Sequence, residues 1–244
     1  NQSQVTIQGS INEEGSIFIN EENVTLEPST LNFEQTVSLT EGTNTIVLTA
    51  VDLAGNSTTK TITITLDTTA PEIILINPAS DALITNQNQM VIQGSINEEG
   101  SIFINDEEVS LEPSTLNFEQ TLTLNEGENT LTILAVDTVG NSSTKELSIT
   151  WDNIAPEITI TNPQENSITN QTEGEISGTV SEPDAALWIN NEAAELNSAG
   201  EFTKTILLVE GENAITITAT DPAGNSATQT ISITLDTIAA EIAI

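Results

Sequence analysis

The 244-residue chain carries 37 carboxylate side chains against three lysines, with no arginine, histidine or cysteine, for a formal charge of −34. Nothing in it can neutralise phosphates, which argues against nucleic acid as a partner, and the missing thiols exclude a disulfide scaffold. No apolar run approaches the ~18 residues of a membrane span, so membrane insertion is not expected.

The N-terminus opens inside a strand pattern, not on a signal peptide, so the chain reads as part of something longer. A first repeat, 1–67, opens at its second strand, Gln4-Val5-Thr6-Ile7, and has no counterpart of Glu72-Ile73-Ile74-Leu75; its text returns almost unchanged within 68–152 and in drifted form in 153–236, with 237–244 the start of a following repeat or a donated strand. A period near 85 residues suits self-sufficient domains rather than solenoid units. In the second repeat, alternating Thr, Ile, Val and Leu predict strands at 72–76, 90–96, 101–104, 109–111, 118–124, 129–136 and 143–151, separated by turn residues and without helical periodicity. Seven short strands per repeat predict an all-β fold: three tandem immunoglobulin-like antiparallel β-sandwiches in an elongated array. Phe18, Phe103 and Trp188 align in one column and Phe33, Phe118 and Phe202 in another, and both columns are expected to anchor cores.

Aspartate is scarce and placed. Of nine Asp residues, six occupy two recurring positions. Asp52, Asp137 and Asp221 stand in the turn Asp-x-x-Gly-Asn, at offsets of 85 and 84 residues; Asp67, Asp152 and Asp236 stand fifteen residues further on, at the repeat ends. In an immunoglobulin-like sandwich the loop between the last two strands and the loop after the second strand lie at the end where the linker arrives. Asp137 is therefore expected to face Asp67 with Glu98 and Glu99 nearby, and Asp221 to face Asp152 with Glu182 and Asp184 nearby. Asp52 and Asp236 would each supply half of such a site. Oxygen ligands of this kind suit calcium, whereas zinc or copper would call for histidine or cysteine. The alternative is a plain turn, in which Asp caps backbone amides and Gly supplies positive φ. An acidic, lysine-poor surface also suits hydration in brine, which composition does not separate from calcium demand.

These residues resemble the bacterial immunoglobulin-like repeats of large secreted adhesins and related surface proteins. The likeness lies in the strand ending Ala135-Val136-Asp137-Thr138-Val139-Gly140-Asn141, the preceding turn Glu126-Gly127-Glu128-Asn129, and the linker Asp67-Thr68-Thr69-Ala70-Pro71. The resemblance implies a non-enzymatic extender in an extracellular stalk or surface fibre, with calcium at the junctions on Asp67, Asp137, Asp152 and Asp221. Its partners would be neighbouring immunoglobulin-like repeats of the same or another chain. The linker departs from the pattern at Asn153-Ile154 and at Ala240.

Two other classes stay open. Glu241-Ile242-Ala243-Ile244 reads as a first strand without a domain after it, either because the chain is cut from a long array or because that strand completes the first domain of the next chain in a filament. A carbohydrate-binding module would carry exposed aromatics, for which Trp151 is the candidate, Trp188 sharing its column with phenylalanines expected in the core. Pairs such as Glu13-Glu14 offer carboxylates for acid/base hydrolysis, but no cleft signature accompanies them.

Overall fold

In the computed structural model, residues 2–242 are described; they form strands and turns and no helix. Ala243 and Ile244, part of the expected terminal strand, lie outside the described residues, and 236–242 are not in a strand. The first repeat comprises β1 (Gln4–Ser10), β2 (Gly15–Ile19), β3 (Glu22–Val24), β4 (Asn32–Ser38), β5 (Gly42–Asp52) and β6 (Ser57–Leu66). The second comprises β7 (Ile73–Asn77), β8 (Ala82–Thr85), β9 (Gln89–Ile96), β10 (Gly100–Ile104), β11 (Glu107–Val109), β12 (Asn117–Thr123), β13 (Gly127–Asp137) and β14 (Ser142–Trp151). The third comprises β15 (Ile158–Asn162), β16 (Ser167–Thr169), β17 (Glu173–Val180), β18 (Ala186–Ile189), β19 (Glu192–Ala194), β20 (Glu201–Leu207), β21 (Gly211–Thr220) and β22 (Ser226–Leu235).

The third repeat shows the architecture in full: a three-stranded sheet β15-β17-β20 and a five-stranded sheet β16-β22-β21-β18-β19. The second has the same strand orders, β7-β9-β12 and β8-β14-β13-β10-β11. All-β tandem sandwiches are what the alternation predicts. The sequence reading missed the short strands β8 and β16. They pair in parallel with the last strands, Leu83 opposite Ile149 and Ile168 opposite Thr234, a long-range register that local periodicity does not announce.

By backbone contacts the chain divides into two compact units, one of Asn1–Ile74, Gly94–Phe118 and Ile133–Lys145, the other of Leu75–Gln93, Glu119–Thr132 and Glu146–Ile244. In the first unit the core of repeat one gathers Ile7, Ile17, Ile19, Val24, Phe33 and Ile46. In the second unit, Ile176, Ile189, Ile215 and Ile217 are buried with Phe202 and Leu187. With few aromatics, aliphatic side chains supply most of the burial, about 1.5–3 kcal/mol for each fully buried one.

One of the two aromatic columns behaves as expected and one does not. Phe33, Phe118 and Phe202 are buried, each ring lying over a glycine: a Cβ on Gly9, Gly94 or Gly178 would fall 2.6–2.8 Å from the ring's Cζ. Strand phase corrects the other column. Ile17 and Ile19, Ile102 and Ile104, and Leu187 and Ile189 point inward, so Phe18, Phe103 and Trp188, each between such a pair, face outward. Trp188 is 38% exposed.

Candidate cation sites at the linkers

The same period-two phase builds the site. Along β13, Leu131, Ile133 and Ala135 are buried, and the next inward position is Asp137; along β21, Ile215, Ile217 and Ala219 lead to Asp221. A carboxylate thus arrives at the end of an apolar row with only 7% and 5% of its surface exposed. Charge in that position requires donors, and the turn provides them. Oδ1 of Asp137 accepts from Val139 N (2.9 Å) and Asn141 N (2.8 Å), and Oδ2 accepts from Asn141 Nδ2 (2.6 Å). Gly140 closes the turn at φ 91°, a left-handed conformation that glycine adopts without steric cost. Burial acts to raise the Asp137 carboxyl, but the hydrogen bonds from Asn141, Val139 and Gly140 outweigh it and hold the group below its ordinary range. In repeat three, Asp221 accepts from Gly224 N (2.7 Å), Asn225 N (2.8 Å) and Asn225 Nδ2 (2.8 Å).

The asparagine that ends each turn also reaches the linker. Asn141 Nδ2 donates to the carbonyl of Asp67 at 3.2 Å, and Asn225 Nδ2 to that of Asp152 at 2.8 Å. Ser143 Oγ bonds the carbonyl of Pro71, and Gln229 Nε2 bonds that of Ile158 at 2.7 Å. The linker is therefore seated on the repeat that follows it. Each linker aspartate bends back on itself, Asp67 Oδ1 accepting from Thr69 N (3.1 Å) and Asp152 Oδ1 from Ile154 N (2.9 Å).

Two triads result. Asp67, Glu98 and Asp137 each place a carboxylate oxygen within 4.8 Å of the others, and so do Asp152, Glu182 and Asp221. The glutamates carry the strain of this crowding. Desolvation first, then the charges of Asp67 and Asp137, push the Glu98 carboxyl above its ordinary value. Glu182 is raised by desolvation and then by Asp221, Asp152 and Asp184. Two oxygens bound at about 2.4 Å on opposite sides of one hard cation lie at most about 4.8 Å apart, so either triad can share an ion, with water completing its shell.

The other residues read from the sequence lie outside these triads. Glu99 and Asp184 are exposed and belong to neither. Asp52 is bonded within its own turn by Ala54 N, Asn56 N and Asn56 Nδ2, at 2.7–2.8 Å. Asp236 is exposed, with Oδ1 accepting from Ile238 N at 3.0 Å.

A further contact escaped the sequence reading, although its glutamate stands in Glu41-Gly42-Thr43-Asn44, the repeat-one counterpart of the turn Glu126-Gly127-Glu128-Asn129. Glu41 accepts from Thr68 N (3.1 and 3.2 Å) and Thr68 Oγ1 (2.6 Å), which hold its carboxyl below the ordinary range. Glu210 grips Thr237 in the same way, through Oγ1 at 2.7 Å. At the middle position threonine is replaced by Asn153, whose amide stands 3.5 Å from Glu126. In metal-free protein the Thr68 and Thr237 amides are expected to exchange with solvent at least about tenfold more slowly than that of Asn153, and Asn153→Thr to close the gap. Equal rates in amide exchange followed by NMR would remove this role from the glutamates.

Tandem sandwiches with linkers seated on the following repeat define a multidomain immunoglobulin-like segment. The chain belongs to the glucodextranase domain B family, whose model matches it three times, over residues 1–68, 71–153 and 156–237. Among curated proteins, Bacillopeptidase F of Bacillus subtilis (strain 168) is 29% identical over 160 residues, covering 63% of this chain and 11% of that protein. The chain thus spans about a tenth of that relative's length. Among solved structures, Clostridium thermocellum CbhA fibronectin(III)-like modules match with TM-score 0.46 and 15% identity, over 67% of this chain and 94% of theirs. A 1.5-MDa bacterial ice-binding adhesin matches with TM-score 0.37 and 16% identity, over 96% and 92%.

Proposed function

We propose that this chain is a non-enzymatic extender segment of an extracellular bacterial surface protein or fibre, its successive sandwiches joined through calcium at the linkers. The observation that carries the reading is the convergence of three carboxylates at each internal linker, one from the linker and two from the repeat that follows. Asp67 and Asp152 supply the linker ligand. Asp137 with Glu98, and Asp221 with Glu182, supply the rest. When bound, the ion offsets mutual repulsion among the three charges and adds a crosslink between linker and sandwich. The protein's own residues do the positioning: the turn amides fix Asp137 and Asp221, and Asn141 and Asn225 fix the linker carbonyls beside them. Membership of the domain B family, repeated three times, supports a modular role.

Calorimetric titration of calcium into metal-stripped protein tests this. Two sites are expected, one lost with Asp67→Asn and the other with Asp152→Asn, and both retained in molar sodium chloride. Absence of binding, or binding that salt abolishes, would leave acidic hydration as the meaning of the charge.

A further inference from the structure

We propose that the outer face of the third repeat, around Trp188, binds a neutral polysaccharide chain. This surface lies on the β19-β18-β21-β22 part of the larger sheet and uses none of the residues assigned to the cation sites. Trp188 faces outward because Leu187 and Ile189 on either side of it are buried. Its cross-strand neighbours are Ala193 on β19, too small to cover an indole, and Thr218 on β21.

Beyond Thr218 the sheet presents rungs of hydroxyl pairs: Thr216 with Thr230 (3.5 Å), Thr218 with Thr228 (3.1 Å) and Thr220 with Ser226 (2.7 Å). Each hydroxyl has one donor and two acceptor positions, so a rung bonded only within itself still has capacity for a ligand. Successive rungs are about 6.6–6.8 Å apart, two residues along a strand.

The chemistry of this patch selects its ligand. A pyranose ring has an apolar C–H face, which an indole covers, and a rim of hydroxyls, which threonine hydroxyls satisfy. Charge narrows the class further. In a chain of net charge −34, these rung positions carry no ionised group, so a neutral sugar meets neither repulsion nor an unpaired carboxylate, whereas an anionic glycan is repelled by the whole molecule. The equivalent positions elsewhere lack the combination. Phe103 in repeat two pairs with Glu108 and Leu134. Phe18 in repeat one pairs with Thr49, which forms a single rung with Thr59 (3.5 Å), but Val47 and Val51 stand where repeat three has the hydroxyls of Thr216 and Thr220. The other indole, Trp151, is half-buried, with its Nε1 enclosed and without a hydrogen-bond partner. Trp188 is therefore the candidate platform, and Trp151 the internal reference.

The test is titration of the full chain with cellohexaose and, separately, maltohexaose, in the presence of a chelator, following both indole N–H signals by NMR. The expected result is a shift of the Trp188 signal with at least one of the two sugars, at a Kd on the order of a millimolar, while Trp151 stays put. Trp188→Ala is expected to weaken binding at least about tenfold. Thr218→Glu, which keeps the indole and sets a carboxylate beside it, should do the same, with unchanged circular dichroism in both variants. No shift with either sugar, a shift at Trp151 alone, or binding that survives both substitutions would overturn the assignment.

Discussion

Asp221→Ala is expected to destabilise the third repeat by about 2–4 kcal/mol, without any metal present. The substitution removes the acceptor for two backbone amides and the Asn225 side chain at a position only 5% exposed. Those donors lose their charge-assisted partner, and the Asn225 side-chain amide loses the carboxylate that holds it beside the Asp152 carbonyl. Asp152→Asn, in contrast, is expected to raise metal-free stability slightly, by easing the crowding of Glu182, while removing the calcium response, because Asp152 contributes charge at the mouth of the site and not closure of the turn. Urea unfolding followed through tryptophan fluorescence measures both. A loss below about 1 kcal/mol for Asp221→Ala would mean that Gly224 and backbone bonding close the turn unaided. Asp52→Ala should cost less than Asp221→Ala, since Asp52 is only half-buried in an otherwise equivalent turn.

How much of this was legible in advance depended on whether a residue's role is set by local periodicity or by a partner far along the chain. The sandwich class follows from alternation, and the two aspartate positions from their recurrence. Strand phase would have taken the reading further. Met90, Ile92, Gly94 and Ile96 point inward along β9, and continuing that phase selects Glu98 over Glu99. The same rule turns Trp188 outward between Leu187 and Ile189, where alignment with other aromatics suggested a core. Asp184 shares the phase of Glu182, but a turn intervenes and breaks the rule. The grip of Glu41 on Thr68 spans 27 residues and depends on how the linker leaves the sheet, so no local pattern encodes it. For β8 and β16, three or four residues are too few for periodicity to speak, and their parallel pairing is fixed by the last strand of the repeat.

Acid and calcium are expected to compete for the same carboxylate oxygens at these junctions. Glu98 and Glu182 have carboxyls raised by desolvation and by neighbouring aspartates, so in metal-free protein the folded state takes up their protons before the unfolded state does. Stability from this source is greatest at low pH and falls as pH rises from the ordinary glutamate value through the raised one. Asp137, Asp52 and Glu41 run the other way. Burial opposes ionisation of Asp137, but turn hydrogen bonds leave it lowered, as bonds from Asn56 and Thr68 do for Asp52 and Glu41. Their contribution is present above the ordinary carboxylate values and lost as pH falls through the depressed ones. From these groups, metal-free stability should therefore be greatest above the ordinary carboxylate values and below the raised ones of Glu98 and Glu182. With calcium at a hundredfold excess over Kd, each site adds about 2.7 kcal/mol near neutral pH, raising the melting temperature of a repeat by on the order of 10 °C. Protons compete with the ion for the same oxygens, so the curves with and without calcium should converge on acidification. The paired substitution Glu98→Gln and Glu182→Gln separates this from the general relief of net charge. It should raise the melting temperature of metal-free protein at pH 7, because a neutral amide ends the crowding, and should abolish most of the calcium increment. Thermal melts of both proteins between pH 4 and 8, with calcium and with chelator, decide the matter: an increment that survives the double substitution would place the ion elsewhere, and one that never appears would leave the triads as acidic turns without a resident ion.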